Sequence, residues 1–344
     1  MKEKMEDFYR NKTIIITGGV GSIGSAIVRK LLQFDVKTIR VLDNNETGLF
    51  DLEQDLNSPL LRTLVGDVRD KERLERAFEG GDIVFHAAAL KHVPLCEYNP
   101  FDAVKTNVLG TQNVLEAALN KQVEKVILIS TDRAVNPTNV MGATKLLAER
   151  LTVSANSYRG YERTIFSAVR FGNVMDSRGS VIPLFKKQIE EGGPVTVTDP
   201  NMSRFVMTIP EAVRLVLEAA IMAQGGEIFI LKMPSLKVGT LAEAMIETFA
   251  PIYNKNPEDI EIKVIGKRPG EKMYEELINR EDNHTLMENN RMFIRLPKLS
   301  TSDSTEIYEE MGFKKSTRRY FSSNNETTEL KKNEIKELLK NIKD

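Results

Sequence analysis

Ile14-Ile15-Ile16-Thr17-Gly18-Gly19-Val20-Gly21-Ser22-Ile23-Gly24 sets Gly18, Gly21 and Gly24 three apart, between an apolar β-branched run and the start of a helical pattern. A strand that turns tightly into a helix needs glycine where backbones approach closely and where the helix packs on the strand. The free N–H groups and positive end of that helix, at Gly21, Ser22 and Ile23, suit the pyrophosphate of a dinucleotide. The spacing alone is weak evidence, and the strand before it with the helix after it gives it weight.

Outward from this turn, strand-like runs at Thr13 to Thr17, Thr38 to Leu42, Arg62 to Val65, Ile83 to His86 and Lys125 to Ser130 alternate with helical stretches. The helices are predicted at Ile23 to Gln33, Gly48 to Leu56, Lys71 to Phe78, Asp102 to Asn120 and Gly142 to Tyr158. Such alternation predicts an α/β fold, a Rossmann-type doubly wound parallel sheet covered on both faces. After about Arg170 the pattern becomes irregular, and a smaller α/β substrate-binding lobe is expected over the carboxyl ends of the strands. The expected division is residues 10–175 for the dinucleotide domain, 176–300 for the lobe, partly interleaved with the first, and 301–344 for a peripheral charged extension.

Lys and Arg total 48 against 49 acids, a net charge of −1, so no global field points to nucleic acid or a membrane surface. One cysteine, Cys96, excludes an intramolecular disulfide and a cysteine-based zinc site, and the scattered His86, His92 and His284 do not suggest a metal. The charged start and the lack of a run of roughly 18 apolar residues lead to the expectation of a soluble, cytoplasmic protein without a membrane partner.

Asp43 falls at the end of the second strand, about 20 residues past the glycines, where a carboxylate bonds a ribose 2′-hydroxyl and repels a 2′-phosphate. This favours NAD over NADP, with a helix N-cap before Glu46 to Leu56 as the competing reading. Asp67 and Val68 end the third strand, and Ala87 and Ala88 follow the fourth with small side chains where the backbone passes a cofactor.

Together with His86-Ala87-Ala88-Ala89-Leu90-Lys91-His92-Val93-Pro94 and Asn107-Val108-Leu109-Gly110-Thr111, residues 130–145 (Ser-Thr-Asp-Arg-Ala-Val-Asn-Pro-Thr-Asn-Val-Met-Gly-Ala-Thr-Lys) carry a family likeness. Arg170-Phe171-Gly172-Asn173-Val174-Met175 and Arg268-Pro269-Gly270-Glu271-Lys272 add to it. The chain resembles the extended short-chain dehydrogenase/reductases, and more narrowly the UDP-N-acetylglucosamine 4,6-dehydratases of capsule and glycan biosynthesis, over about residues 10 to 325. Met141 stands where the superfamily usually has a catalytic tyrosine, as in several members of that group, while Lys145, four residues on, is kept.

The resemblance implies oxidation at the sugar C4 by NAD, loss of the C5 proton and the C6 hydroxyl as water, and hydride return to C6, with inversion at C5 an open option. It gives Thr131 a hydrogen bond to the C4 oxygen, makes Asp132 the acid toward C6, and sets Lys145 on the nicotinamide ribose. Relatives usually carry Lys at position 133 as the C5 base, whereas Arg133, protonated below a pKa of about 12, is left to stabilise an oxyanion or to keep Asp132 ionised. Asp132 or Lys91 is then left for the C5 proton.

Asp67, Lys91 and Asn107 are further implied cofactor contacts, and Lys91, Asn173, Arg178, Val181, Arg204, Arg268 and Glu271 implied contacts of a UDP-sugar. A dimer or larger homo-oligomer is implied as well. Two other readings stay open: a UDP-hexose 4-epimerase, and a binding protein that retains NAD without turnover.

Overall fold

The computed structural model describes residues 2–160, 162–280, 285–298, 302–325 and 327–340. Six β-branched runs form parallel strands: β1 (Thr13–Thr17), β2 (Thr38–Asp43), β3 (Leu61–Val65), β4 (Ile83–His86), β5 (Lys125–Ile129) and β6 (Ile165–Arg170). Their spatial order is β3-β2-β1-β4-β5-β6. This is the doubly wound dinucleotide-binding order, and its direction reverses between β1 and β4, where a crevice opens at the carboxyl ends. β1 and β4 are buried at every position, as a central strand covered by helices on both faces requires.

Between and around the strands lie α1 (Lys2–Tyr9), α2 (Ser22–Leu31), α3 (Glu46–Leu56), α4 (Lys71–Phe78), α5 (Val93–Tyr98), α6 (Pro100–Val104), α7 (Gly110–Asn120) and α8 (Val140–Tyr158). The single helix expected over Asp102 to Asn120 is instead α6, a wide π turn at Lys105–Leu109, and α7. Within that turn Asn107 is buried, and π turns of this kind sit where a side chain has a specific task. The short α5 was not foreseen, because Pro94 and a six-residue length leave little periodicity to read.

Residues after 176 divide between the main sheet and a separate lobe. The helix Ile209–Met222, with a capping box of Thr208 and Glu211, packs on the main sheet. Ile228–Leu231 continues that sheet as a seventh parallel strand, and antiparallel Met292–Arg295, Leu286–Glu288 and Lys314–Lys315 finish it. The lobe proper has its own core, where Phe185, Ile189, Leu241, Met245 and Phe249 pack together.

The extension from residue 301 docks on both cores. Tyr308 and Phe313 enter the main core, while Ile335 and Leu339 of the helix Lys332–Lys340 enter the lobe core. Its charged composition hid this, because two apolar residues spaced four apart suffice to dock one helix face. Residues 341–344 lie outside the described residues. No helix among the described residues is long and apolar enough to cross a membrane.

At the end of β4, His86 is fully enclosed: Nδ1 lies 2.7 Å from Thr17 Oγ1 and Nε2 3.0 Å from Thr111 Oγ1. Thr111 already donates to the Asn107 carbonyl, so its oxygen accepts from Nε2–H, and Thr17 donates to Nδ1. Burial, with the Lys145 charge nearby, pushes His86 down to about 3, so it is a neutral brace. Because the folded pKa lies below the unfolded value, stability from this group is present above about pH 6.5 and is lost as pH falls toward 3. Unfolding titrations should therefore show about 2 kcal/mol lost on going from about pH 7.5 to 5 beyond the loss measured for His86→Gln.

Candidate active site

A cleft of about 820 Å³ runs from the glycine turn across the ends of β1, β4 and β5 to the lobe. At its floor Gly18 has φ +70°, and a Cβ there would come within 2.5 Å of the Ala88 backbone nitrogen. The loops leaving β1 and β4 thus touch backbone to backbone, which excludes any side chain at Gly18. Gly24 is equally constrained, since its Cβ would lie 2.3 Å from the Gly18 carbonyl oxygen. Ser22, Ile23, Val68, Ala87 and Ala88 line the same end.

Asp43 is not the cap of α3, because Asn45 fills that role by accepting from the Gly48 N–H. Its carboxylate accepts from Val20 N–H at 3.1 Å and Asn45 N–H at 3.0 Å, which fixes it at the cleft wall beside the glycine turn. Asp67 also lines the cleft but is held by Arg69 in a two-pronged pair and by Asn44; the Arg69 guanidinium keeps its carboxyl below the usual range.

Several expected ligand contacts act on the protein itself. Asn107 does not face the cleft: its amide bonds both backbone groups of Leu90 and reaches Thr144 Oγ1 at 3.0 Å. It braces the loop after β4 against α8, a task that the motif alone did not distinguish from ligand contact. Arg178 lies over the glycine turn rather than with the lobe arginines, donating to the Val20 carbonyl at 2.7 Å, while its backbone N–H meets Ser22 Oγ. Lys91 Nζ donates to the Arg178 carbonyl at 2.6 Å, so residues 176–180 form a strap across the dinucleotide end.

At the end of β5, Thr131 faces the cleft and donates to Asp132 Oδ1 at 2.9 Å. Asp132 is buried behind it, and its Oδ2 has no hydrogen-bond partner. Burial raises its pKa, against the pull of Arg133, the Thr131 hydrogen bond and Arg204. On α8, Lys145 is buried at the cleft and donates to the Ile129 carbonyl at 2.6 Å; burial brings it down to about 8, opposed by Glu149. Glu149, one turn further on, makes a two-pronged buried pair with Arg170 at 2.6 and 3.0 Å. Met141 packs with Val93, Cys96 and Ala103, an apolar seat that makes no demand for a phenol.

Two separate motifs hold each other at the lobe end. The Gly270 carbonyl accepts from Thr138 Oγ1 and Asn139 Nδ2, Lys272 donates to the Val135 carbonyl, and Asn136 donates to Glu276. Arg268 is exposed at the cleft, and Glu271 caps this turn by accepting from the Arg268 N–H. Asn173 and Val181 also line the cleft. Arg204 does too, but it is nearly buried and donates to the Ser203 and Lys272 carbonyls, so its fork is largely committed to the protein.

The arrangement also brings in Glu275, which sequence reasoning missed. It is 3% exposed, lines the cleft, and is pushed up to about 7 by burial and by the nearby Asp132 charge. The only signal in the sequence was a glutamate three residues beyond the Arg-Pro-Gly-Glu-Lys turn. No cluster of histidine, cysteine and acid groups fit for a metal occurs among the described residues, and His284 lies outside them.

Residues 14–297 match the family model described as polysaccharide biosynthesis protein. The chain is 64% identical over 297 residues to an uncharacterized membrane protein of Methanocaldococcus jannaschii, covering 86% of this chain and 89% of that one. It is 50% identical over 282 residues to the capsular polysaccharide biosynthesis protein CapD of Staphylococcus aureus, covering 80% of this chain and 46% of CapD. The chain thus spans about half the length of CapD. A UDP-glucose 4-epimerase of Rickettsia rickettsii is 41% identical over 96% of this chain and 95% of its own. Among solved structures, Pen from Bacillus thuringiensis superposes with a TM-score of 0.90 at 44% identity, over 97% of this chain and 98% of Pen. With residues 14–297 matching its model and a crevice at the β1/β4 switch point, the chain belongs to the polysaccharide biosynthesis protein family.

Proposed function

We propose that the chain is an NAD-dependent nucleotide-sugar 4,6-dehydratase, a lyase acting on UDP-N-acetylglucosamine to give a UDP-4-keto-6-deoxy sugar. The observation that carries this reading is the meeting of Thr131 and Lys145 at one cleft, with Asp132 bonded behind Thr131 and the tyrosine position filled by the apolar Met141. A chemistry that eliminates water needs several proton-handling groups around the sugar, and here they are carboxyl and hydroxyl groups rather than a phenol.

The cradle fits a dinucleotide, because the contact of Gly18 with Ala88 clears the floor and Asp43 stands where a ribose 2′-hydroxyl would be read. Bound NAD supplies reversible oxidation at the sugar. Lys145, bonded to the Ile129 carbonyl, would hold the nicotinamide ribose, and the strap carrying Arg178, tied down by Lys91, would lie over the diphosphate end. Thr131 orients the C4 hydroxyl and passes its proton to Asp132, whose raised pKa suits it to hold that proton for the C6 leaving group. Arg133 stabilises the oxyanion that forms when the C5 proton leaves. On the sugar-nucleotide side Arg268 is the guanidinium best placed for phosphate, with Asn173 and Val181 beside it. Tyr98, Phe101, Leu109, Leu147 and Tyr158 are exposed on or beside α5 to α8, and we assign this face to pairing with a second copy.

The second reading is a UDP-hexose 4-epimerase, favoured by the Rickettsia relative and by the absence of a lysine at position 133. One incubation separates the two. In deuterated water the dehydratase converts UDP-N-acetylglucosamine to a product with a C6 methyl signal and deuterium at C5 by NMR, whereas inversion at C4 without solvent deuterium identifies the epimerase.

Two binding measurements test the cradle. Calorimetry should show NAD bound at least about tenfold more tightly than NADP, and Asp43→Ser should narrow that gap, because the carboxylate repels a 2′-phosphate. Gly18→Ala should weaken NAD binding by roughly 2 kcal/mol or more while far-ultraviolet dichroism stays unchanged, because the added methyl is confined to the loop floor.

A further inference from the structure

Arg133 leaves the C5 proton without an acceptor, since a guanidinium stays protonated at any physiological pH. Four carboxylates line the cleft among the described residues: Asp43, Asp67, Glu271 and Glu275. Asp43 is bonded to two backbone N–H groups beside the glycine turn, and Asp67 is locked by Arg69. Glu271 caps its own turn at the exposed rim. The two basic side chains on the loop after β4 are engaged as well. Lys91 donates to the Arg178 carbonyl, and the His92 ring is packed under Gly179, where a Cβ would come within 2.4 Å of it.

Glu275 differs from all of these. Its Oε2 is buried without a hydrogen-bond partner, and the nearest cation, Lys272 Nζ, stands 3.8 Å away. The backbone of Glu275 is fixed on both sides by Ser323, which accepts from its N–H at 3.0 Å and donates its own N–H to its carbonyl at 2.9 Å. Ser323 is fixed in turn by Ser203. A cleft-lining carboxylate held this firmly, with one buried oxygen left without a hydrogen-bond partner, is positioned for proton transfer rather than for structure.

Resting on the dehydratase reading above, we propose that Glu275 removes and returns the C5 proton, paired with Asp132, which handles the protons of the C4 and C6 oxygens through Thr131. The protons balance. The C4 hydroxyl proton passes by way of Thr131 to ionised Asp132 as the C4 hydride leaves to the nicotinamide dinucleotide. Glu275 then takes the C5 proton as the C6–O bond breaks, and the proton on Asp132 departs with that oxygen as water. When the hydride is delivered to C6, Glu275 returns its proton to C5, and both carboxylates end ionised. Arg133 and Arg204 offset the negative charge of the pair, Lys272 adds to this at Glu275, and burial raises both carboxyls, Glu275 to about 7 with the Asp132 charge adding to the effect. A base of that strength is matched to proton abstraction near neutral pH.

The test uses the whole chain with NAD and UDP-N-acetylglucosamine in deuterated water, comparing the native protein with Glu275→Gln. Two signals are followed: the near-ultraviolet absorbance of reduced nicotinamide, which reports C4 oxidation, and deuterium entry at C5 by NMR. In Glu275→Gln, C4 oxidation should persist within about threefold, while deuterium entry and methyl formation fall roughly 100-fold or more. In the native protein the C5 exchange rate should rise between about pH 6 and pH 8 as Glu275 ionises. Undiminished deuterium entry in the variant overturns the proposal, as does an equal loss of both signals, which marks a structural role. A flat native pH profile also overturns it and needs no variant. A native protein that inverts C4 without methyl formation overturns the dehydratase reading itself, before the variant is measured.

Discussion

The buried pair of Glu149 and Arg170 ties together the parts on which the site depends. Arg170 ends β6, Glu149 lies one turn beyond Lys145 on α8, and the second arm of Arg170 donates to the Leu277 carbonyl two residues from Glu275. One guanidinium therefore sets the spacing of the sheet, the helix that carries Lys145, and the segment that carries Glu275. Both side chains are nearly excluded from water, so removing either partner would strand a charge at a cost of about 3–5 kcal/mol. Such a pair adds little net stability over apolar residues of the same shape, and its value lies in allowing one geometry only.

Around that pair the site gathers charges that solvent cannot screen. Asp132 and Glu275 carry like charges in a buried space, and Arg133, Arg204 and Lys272 keep that space from expelling them. Lys145 is brought down to about 8 by the same dryness. The apolar seat of Met141 adds to it, and a phenol there would have brought one more group to titrate.

The nucleotide-binding half of the fold was legible because each strand is a short continuous β-branched run and each helix begins after a turn with its own chemistry. Periodicity reads local order well, and so β1 to β5 fall within a residue or two of the expected places. The second half was read less well because its pieces alternate between two cores. Ile228–Leu231 looks like an isolated extended piece until β6 is seen beside it, and no local pattern announces which sheet a strand will join. Thr131, Asp132, Met141 and Lys145 were singled out because one continuous segment, residues 130–145, carries the family likeness. Glu275 was not, because its meaning comes from Asp132, far away along the chain and near only after folding. Asn107 and Arg204 stand in telling motifs too, and motifs do not reveal that both also bond backbone groups of the protein itself.

Ser323 closes the account of how the site is assembled. It sits in the segment after the main sheet is complete, yet it holds the backbone of Glu275 and bonds Ser203, 120 residues earlier. The glycine turn is completed by its contact with Ala88, early in the sequence, whereas the wall that holds Glu275 is braced only by this distant serine. Contacts of such long sequence separation are slow to form, so the two sides of the cleft place unequal demands on folding.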